Sequence, residues 1–129
     1  GFTVLELMIA LLIVSILLGL ALPSYHRHVQ RGQRAEAVRM LLAAAACEER
    51  VRAHSGYYDT SRCLDAFDSP HYSLRAVPPG DPAAAGFTLI AEPRAAGSDD
   101  PCGALSLDQS GRRGISADEQ HLARCWSGR

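Results

Sequence analysis

The sequence predicts an α+β protein in which a long, bent N-terminal α-helix packs on a small antiparallel β-sheet. Three observations predict it. GFTVLELMIALLIVSILLGLAL is a nearly unbroken apolar run, and it passes into an amphipathic pattern that reaches His54. HYSLRAV (71–77), GFTLIAE (86–92) and GALSLDQ (103–109) each alternate apolar and polar residues, as half-buried strands do. Proline- and glycine-rich PPGDPAAA and PRAAGSDDP separate those runs, so the sheet should be built from short strands joined by turns.

Within the first element, Phe2 to Leu22 would make a helix about 31 Å long, close to the hydrocarbon thickness of a bilayer. No basic n-region precedes the run and no A-x-A site follows it, so it reads as a membrane span and not as an ordinary signal peptide. Glu6 is the single ionisable side chain in it, and a carboxylate in lipid costs a few kcal/mol or more. Ser15 and Gly19, four apart, form a small-residue face on which another helix could approach. Pro23 removes a backbone hydrogen bond and should kink or loosen the helix between Gly19 and Pro23. Residues 1–23 are therefore expected to be a transmembrane and assembly helix.

Residues 24–54 should continue it as an amphipathic helix. The stretch is rich in Ala, Arg, Glu, Leu and Met, all good helix formers. Val29, Val38, Leu41, Leu42, Ala45 and Val51 give one apolar stripe, with Arg27, Arg31, Arg34, Glu36, Arg39 and Glu48 mostly off it. Gly56 is placed to cap the C-terminus. Residues 55–129 are expected to be the head. GYYDTSRCLDAFDSP reads as a connecting loop, the third strand ends in a turn at 108–114, and the rest is irregular as far as Cys125-Trp126.

Composition narrows the function classes. The chain has 129 residues, enough for one domain plus an extended element, and a formal charge of −1. It is therefore neither a polybasic nucleic-acid binder nor an acidic tail. All 13 cationic residues are Arg, a bias that no single site explains. Aromatics make up only 6%, so the core must come from Leu, Val and Ala and will be small. Four cysteines offer covalent help, and they form no CxxC pair and no zinc-type spacing with histidine. Behind a membrane segment they point to disulfides in an oxidising compartment. Of the three possible pairings, Cys47–Cys63 with Cys102–Cys125 is preferred because each closes a modest loop. Closing a loop of about fifteen residues removes roughly 3 kcal/mol of unfolded-chain entropy.

Gly1-Phe2-Thr3 with Glu6, followed by the long apolar helix, resembles the processing signature of the type IV pilins, in particular the class-a minor pilins. ALPSYHRHVQRGQRAEA is similar to the continuation seen in that group, and DDPCGALSLDQSGRRG with CW to its C-terminal disulfide loop. The resemblance implies a type IV pilin fold and cleavage by prepilin peptidase between Gly1 and Phe2. It implies N-methylation of Phe2, and it makes Cys102 and Cys125 the pair that closes the C-terminal loop. The Cys47–Cys63 bridge lies outside the family pattern. Cleavage would leave an α-amine four residues from Glu6, and a neighbour's Phe2 amine could then pair with Glu6 and set filament register. Phe2, Glu6, Gly19 and Pro23 are the assembly residues on this reading.

The expected function is that of a minor pilin, anchored by one pass in the bacterial inner membrane with its head in the periplasm and later part of an extracellular pilus. It would promote pilus assembly, and through it twitching motility and attachment. Its partners would be other pilin subunits, the inner-membrane assembly platform, prepilin peptidase and membrane lipid, without cofactor, metal or catalysis. The alternatives are a major pilin, a type II secretion pseudopilin, and a DNA-binding pilin for DNA uptake. His26 and His28, two apart, face different ways on a helix and cannot chelate together. Asp99 and Asp100 fall short of the six to eight oxygens that calcium takes. Arg27, Arg31, Arg34 and Arg39 form a basic band just past the membrane segment, suited to anionic headgroups, to a neighbour's acids or to water. Arg112, Arg113 and Arg124 lack interleaved aromatics, so nucleic acid is not the expected partner.

Overall fold

The computed structural model describes residues 1, 3–67, 69–78, 86–94 and 100–127, with Pro23 described by its backbone alone. Phe2 and Asp99 lie outside the described residues, as do most of the two proline- and glycine-rich connections. Helix α1 (Val4–Ser55) is long and bent, and its helical hydrogen bonding continues on both sides of Pro23. Pro23 has no N–H to give the Gly19 carbonyl, yet the helix does not end there. Thr3 caps the start, its side chain accepting from the Glu6 N–H at 3.2 Å. Gly56 caps the end at φ 82°, donating to the Arg52 carbonyl at 2.8 Å. A left-handed φ suits glycine because it has no Cβ to clash.

The sheet is a four-stranded antiparallel meander in the order β1 (Tyr72–Val77), β2 (Thr88–Pro93), β3 (Leu105–Asp108) and β4 (Arg113–Ile115). The first three strands fall within a residue or two of the alternating runs. The fourth corrects the expectation of a turn over 108–114. In the structure the Asp108 side chain accepts from the N–H groups of Ser110 and Arg112, each at 2.9 Å. Gly111 takes φ 79°, the hairpin closes early, and Arg113–Ile115 pairs with β3. Three residues with a central glycine carry too little alternation to announce a strand. Those two amides and the Ser110 hydroxyl, which makes the largest contribution, hold the Asp108 carboxyl below its usual range.

Two short helices were likewise hidden in stretches that read as loop: α2 (Thr60–Leu64) and α3 (Leu122–Ser127), the latter preceded by a 3₁₀ turn, Glu119–His121. Each carries one cysteine. Cys63 of α2 is bonded to Cys47 of α1, and Cys125 of α3 to Cys102 ahead of β3.

The core lies between the second half of α1 and one face of the sheet. Ala37, Leu41 and Ala44 meet Leu89, Ala91, Leu105 and Leu107, with Phe87, Tyr72 and Trp126 in the same cluster. Register enforces this, since Leu89 faces Leu107 and Ala91 faces Leu105 across the β2–β3 pair. The small alanines on α1 let the sheet come close, which leaves Leu42 on the outer side and 47% exposed. The buried stripe runs 34, 37, 40, 41, 44, 48. Arg34 and Glu48, expected off the apolar stripe, therefore stand at its two ends and are buried.

Candidate functional site

The first half of α1 carries Glu6, Gly19 and Pro23, the described residues expected to serve assembly. From Val4 to Leu22 every large apolar side chain is exposed, and this is the stretch of the described residues long and apolar enough to cross a membrane. Ser15 is accommodated there by donating its hydroxyl to the Leu12 carbonyl at 2.8 Å. Glu6 sits in the exposed first turn, where the helix dipole favours a negative charge. Thr3-x-x-Glu6 is also the pattern of a capping box, a signal that sequence reasoning passed over. Gly1 is exposed and Gly19 lies open on the helix surface.

Where α1 enters the head, Arg34 makes a two-point ion pair with Asp100, Nη2 to Oδ1 at 2.6 Å and Nε to Oδ2 at 3.3 Å. Asp100 also accepts from the Tyr72 hydroxyl at 3.1 Å and from the Cys102 N–H at 3.0 Å. The clamp ties helix, first strand and disulfide loop together. Burial above all, with the Asp100 charge and hydrogen bond, pushes the Tyr72 hydroxyl up to about 12. Asp100 is thus paired with Arg34. No group of three or more His, Cys, Asp or Glu able to hold a metal occurs among the described residues.

Above this clamp a cleft of about 200 Å³ opens between α1 and the C-terminal loop. Arg27, Gln30, Arg31 and Arg34 line it from α1, and Pro101, Cys102, His121, Arg124 and Cys125 from the other side. Among the described residues no acidic side chain lines it, and Arg34 is already neutralised by Asp100. The structure thus joins part of the basic band of α1 to Arg124, residues nearly a hundred positions apart. Arg39 is exposed on α1, outside the cleft lining.

Arg112 and Arg113 stand on the β3–β4 hairpin. Arg112 is exposed, and among the described residues its side chain makes only a long contact of 3.7 Å to Asp108. The Arg113 guanidinium lies 5.1 Å from the centre of the Trp126 ring, whose Nε1–H donates to the Gly114 carbonyl at 3.1 Å. An aromatic therefore does accompany these arginines, contributed by α3.

The profile of a family described as type IV minor pilin ComP, DNA uptake sequence receptor, matches residues 23–106, well over half of the chain. The chain belongs to this family of type IV minor pilins. Its long helix, antiparallel sheet and C-terminal disulfide loop are the type IV pilin fold, and the pilin family is structural rather than catalytic. The matched residues run from the second half of α1 into β3, taking in the Arg34–Asp100 clamp and leaving β4 and α3 beyond them. No curated protein and no solved structure matches the chain.

Proposed function

We propose that this minor pilin binds DNA. On this reading the apolar half of α1 holds it in the inner membrane, with its head in the periplasm, until it joins an extracellular pilus. The observation that carries the DNA reading is the Arg112–Arg113 pair on the hairpin, with Trp126 beneath Arg113, in a family described as a DNA uptake sequence receptor. Arginine suits phosphate because its planar fork can make two hydrogen bonds to one group. Asp108 fixes the turn that presents Arg112, and the Trp126 ring holds Arg113, so less side-chain freedom is lost on binding. The expectation against nucleic acid rested on missing aromatics, and Trp126 weakens that ground.

The test is the affinity of the full-length chain in detergent for a labelled duplex, followed across a salt series. Replacing both arginines, Arg112→Gln with Arg113→Gln, should weaken binding and flatten the log–log salt slope by roughly 0.9 for each phosphate that is no longer neutralised. Unchanged affinity and slope would refute the proposal.

A second reading is favoured by Glu6, exposed in the first turn of an apolar helix. After cleavage by prepilin peptidase between Gly1 and Phe2, an N-methylated Phe2 amine of one subunit pairs with Glu6 of the next. The chain then promotes assembly at the inner-membrane platform, and through it motility and attachment. Shearing pili from cells and quantifying this chain against the most abundant subunit tests that. A trace, reproducible amount fits a minor assembly subunit, near-equal abundance a major pilin, and retention in the membrane a secretion pseudopilin.

A further inference from the structure

The cleft between α1 and the C-terminal disulfide loop has a position along the helix that points to its occupant. If the apolar span ends at Leu22, a rise of 1.5 Å per residue puts Arg27 about 7 Å and Arg31 about 13 Å beyond the hydrocarbon edge. The headgroup layer extends roughly 5–7 Å on each side of the core. Long arginine side chains can reach back further along their apolar stems. Arg124 of α3 closes the cleft from the opposite wall, and His121 stands beside it. Neither Arg31 nor Arg124 has an ion-pair partner among the described residues. Arg34 at the back is held by Asp100, so the wall is rigid without contributing net charge.

We propose that, while the pilin is anchored in the membrane, this cleft seats the phosphodiester headgroup of an anionic phospholipid between Arg31 and Arg124. Continuity with the apolar span favours lipid: the acyl chains run alongside residues 4–22 while the phosphate enters a concavity walled partly by Pro101 and the Cys102–Cys125 disulfide. Such a lipid would hold the head at a set height and tilt above the bilayer, touching α1 and the C-terminal loop at once. The inference rests on the membrane-anchoring reading and is independent of DNA binding at Arg112 and Arg113.

The full-length chain is reconstituted in phosphatidylcholine vesicles and floated, which tests anchoring by itself. Native mass spectrometry from detergent then measures retention of phosphatidylglycerol against phosphatidylcholine. Expected are flotation and selective retention of phosphatidylglycerol. The double variant Arg31→Gln with Arg124→Gln should weaken retention about 25-fold, roughly 5-fold for each arginine removed. Arg31→Lys with Arg124→Lys should preserve most of it, and Arg112→Gln with Arg113→Gln should leave it unchanged. Equal retention of the two lipids, or an unaffected Arg31→Gln/Arg124→Gln variant, overturns the proposal. So does displacement of phosphatidylglycerol by inorganic phosphate at equal concentration, which would make the cleft a site for a bare anion. Failure to float would overturn the anchoring reading first, and the proposal with it.

Discussion

Glu48 is placed where an apolar residue would serve the fold better. It continues the core stripe of Ala37, Leu41 and Ala44, is 0% exposed, and neither of its carboxylate oxygens has a hydrogen-bond partner among the described residues. Burial pushes its carboxyl above the usual range. The Asp59 backbone N–H counteracts this in part, without hydrogen-bonding geometry, while the Asp59 and Glu49 carboxylates add to the rise. A raised value means that the folded state holds the proton more tightly. The stability this confers is complete below the carboxylate's unfolded value, and it is lost as pH climbs through the folded one. Replacing Glu48 with Met keeps the volume and removes two unpartnered oxygens, whose desolvation costs about 1–3 kcal/mol. With roughly 4–8 °C per kcal/mol in a domain of 60–100 residues, Glu48→Met should melt at least about 4 °C higher near pH 7.5. Thermal unfolding of the full chain in detergent, followed by circular dichroism from pH 4 to pH 8, reads both the gap and its trend. The gap should widen as pH rises. A variant that melts lower at pH 7.5, or melting curves that run parallel across the range, would show that Glu48 has a partner and refute the reasoning.

Other outcomes are as definite. Arg34→Met strands a buried Asp100, with side chains only 6% exposed on both partners, and should cost about 3–5 kcal/mol in thermal unfolding. Replacing Arg34 and Asp100 together by apolar residues should recover much of that loss. Converting Cys102 and Cys125 to Ser should cost about 2–5 kcal/mol and free α3 for rapid amide exchange, because that bond and Trp126 hold the C-terminus. Glu6→Gln should leave the melting temperature of the head unchanged while lowering the amount of this chain in sheared pili. Equal incorporation would dismiss pairing at Glu6.

Long-period signals were legible and short ones were not. An apolar run followed by an amphipathic one fixes α1 almost to its last residue, since Gly56 is suited to the left-handed cap. Leu105 and Leu107 alternate with Ser106 and Asp108, and the structure buries the two leucines as that alternation requires. By contrast, α2, α3 and β4 are six residues or fewer, and each is held by something outside itself: a disulfide for the two helices, a hairpin for the strand. Arg34 and Glu48 read as solvent-facing because charge is ordinarily exposed. Only the partner Asp100, 66 positions away, explains the first, and nothing local explains the second. The cleft was half visible, as a basic band on α1. Its other wall depends on how the C-terminal loop folds back, which local pattern does not encode.

The two disulfides also set how the protein behaves under tension. Each removes a stretch of chain from what a pulling force can extend, a sequence separation of 16 from Cys47 to Cys63 and of 23 from Cys102 to Cys125. At about 3.5 Å per residue these amount to roughly 55 Å and 80 Å of contour length. A load on α1 passes to the head through the Cys47–Cys63 bond, bypassing the loop and α2 turn between them. If the sheet is torn open under load, the extension stops short by those two lengths, and the helix stays covalently joined to the start of the head, from which refolding can begin.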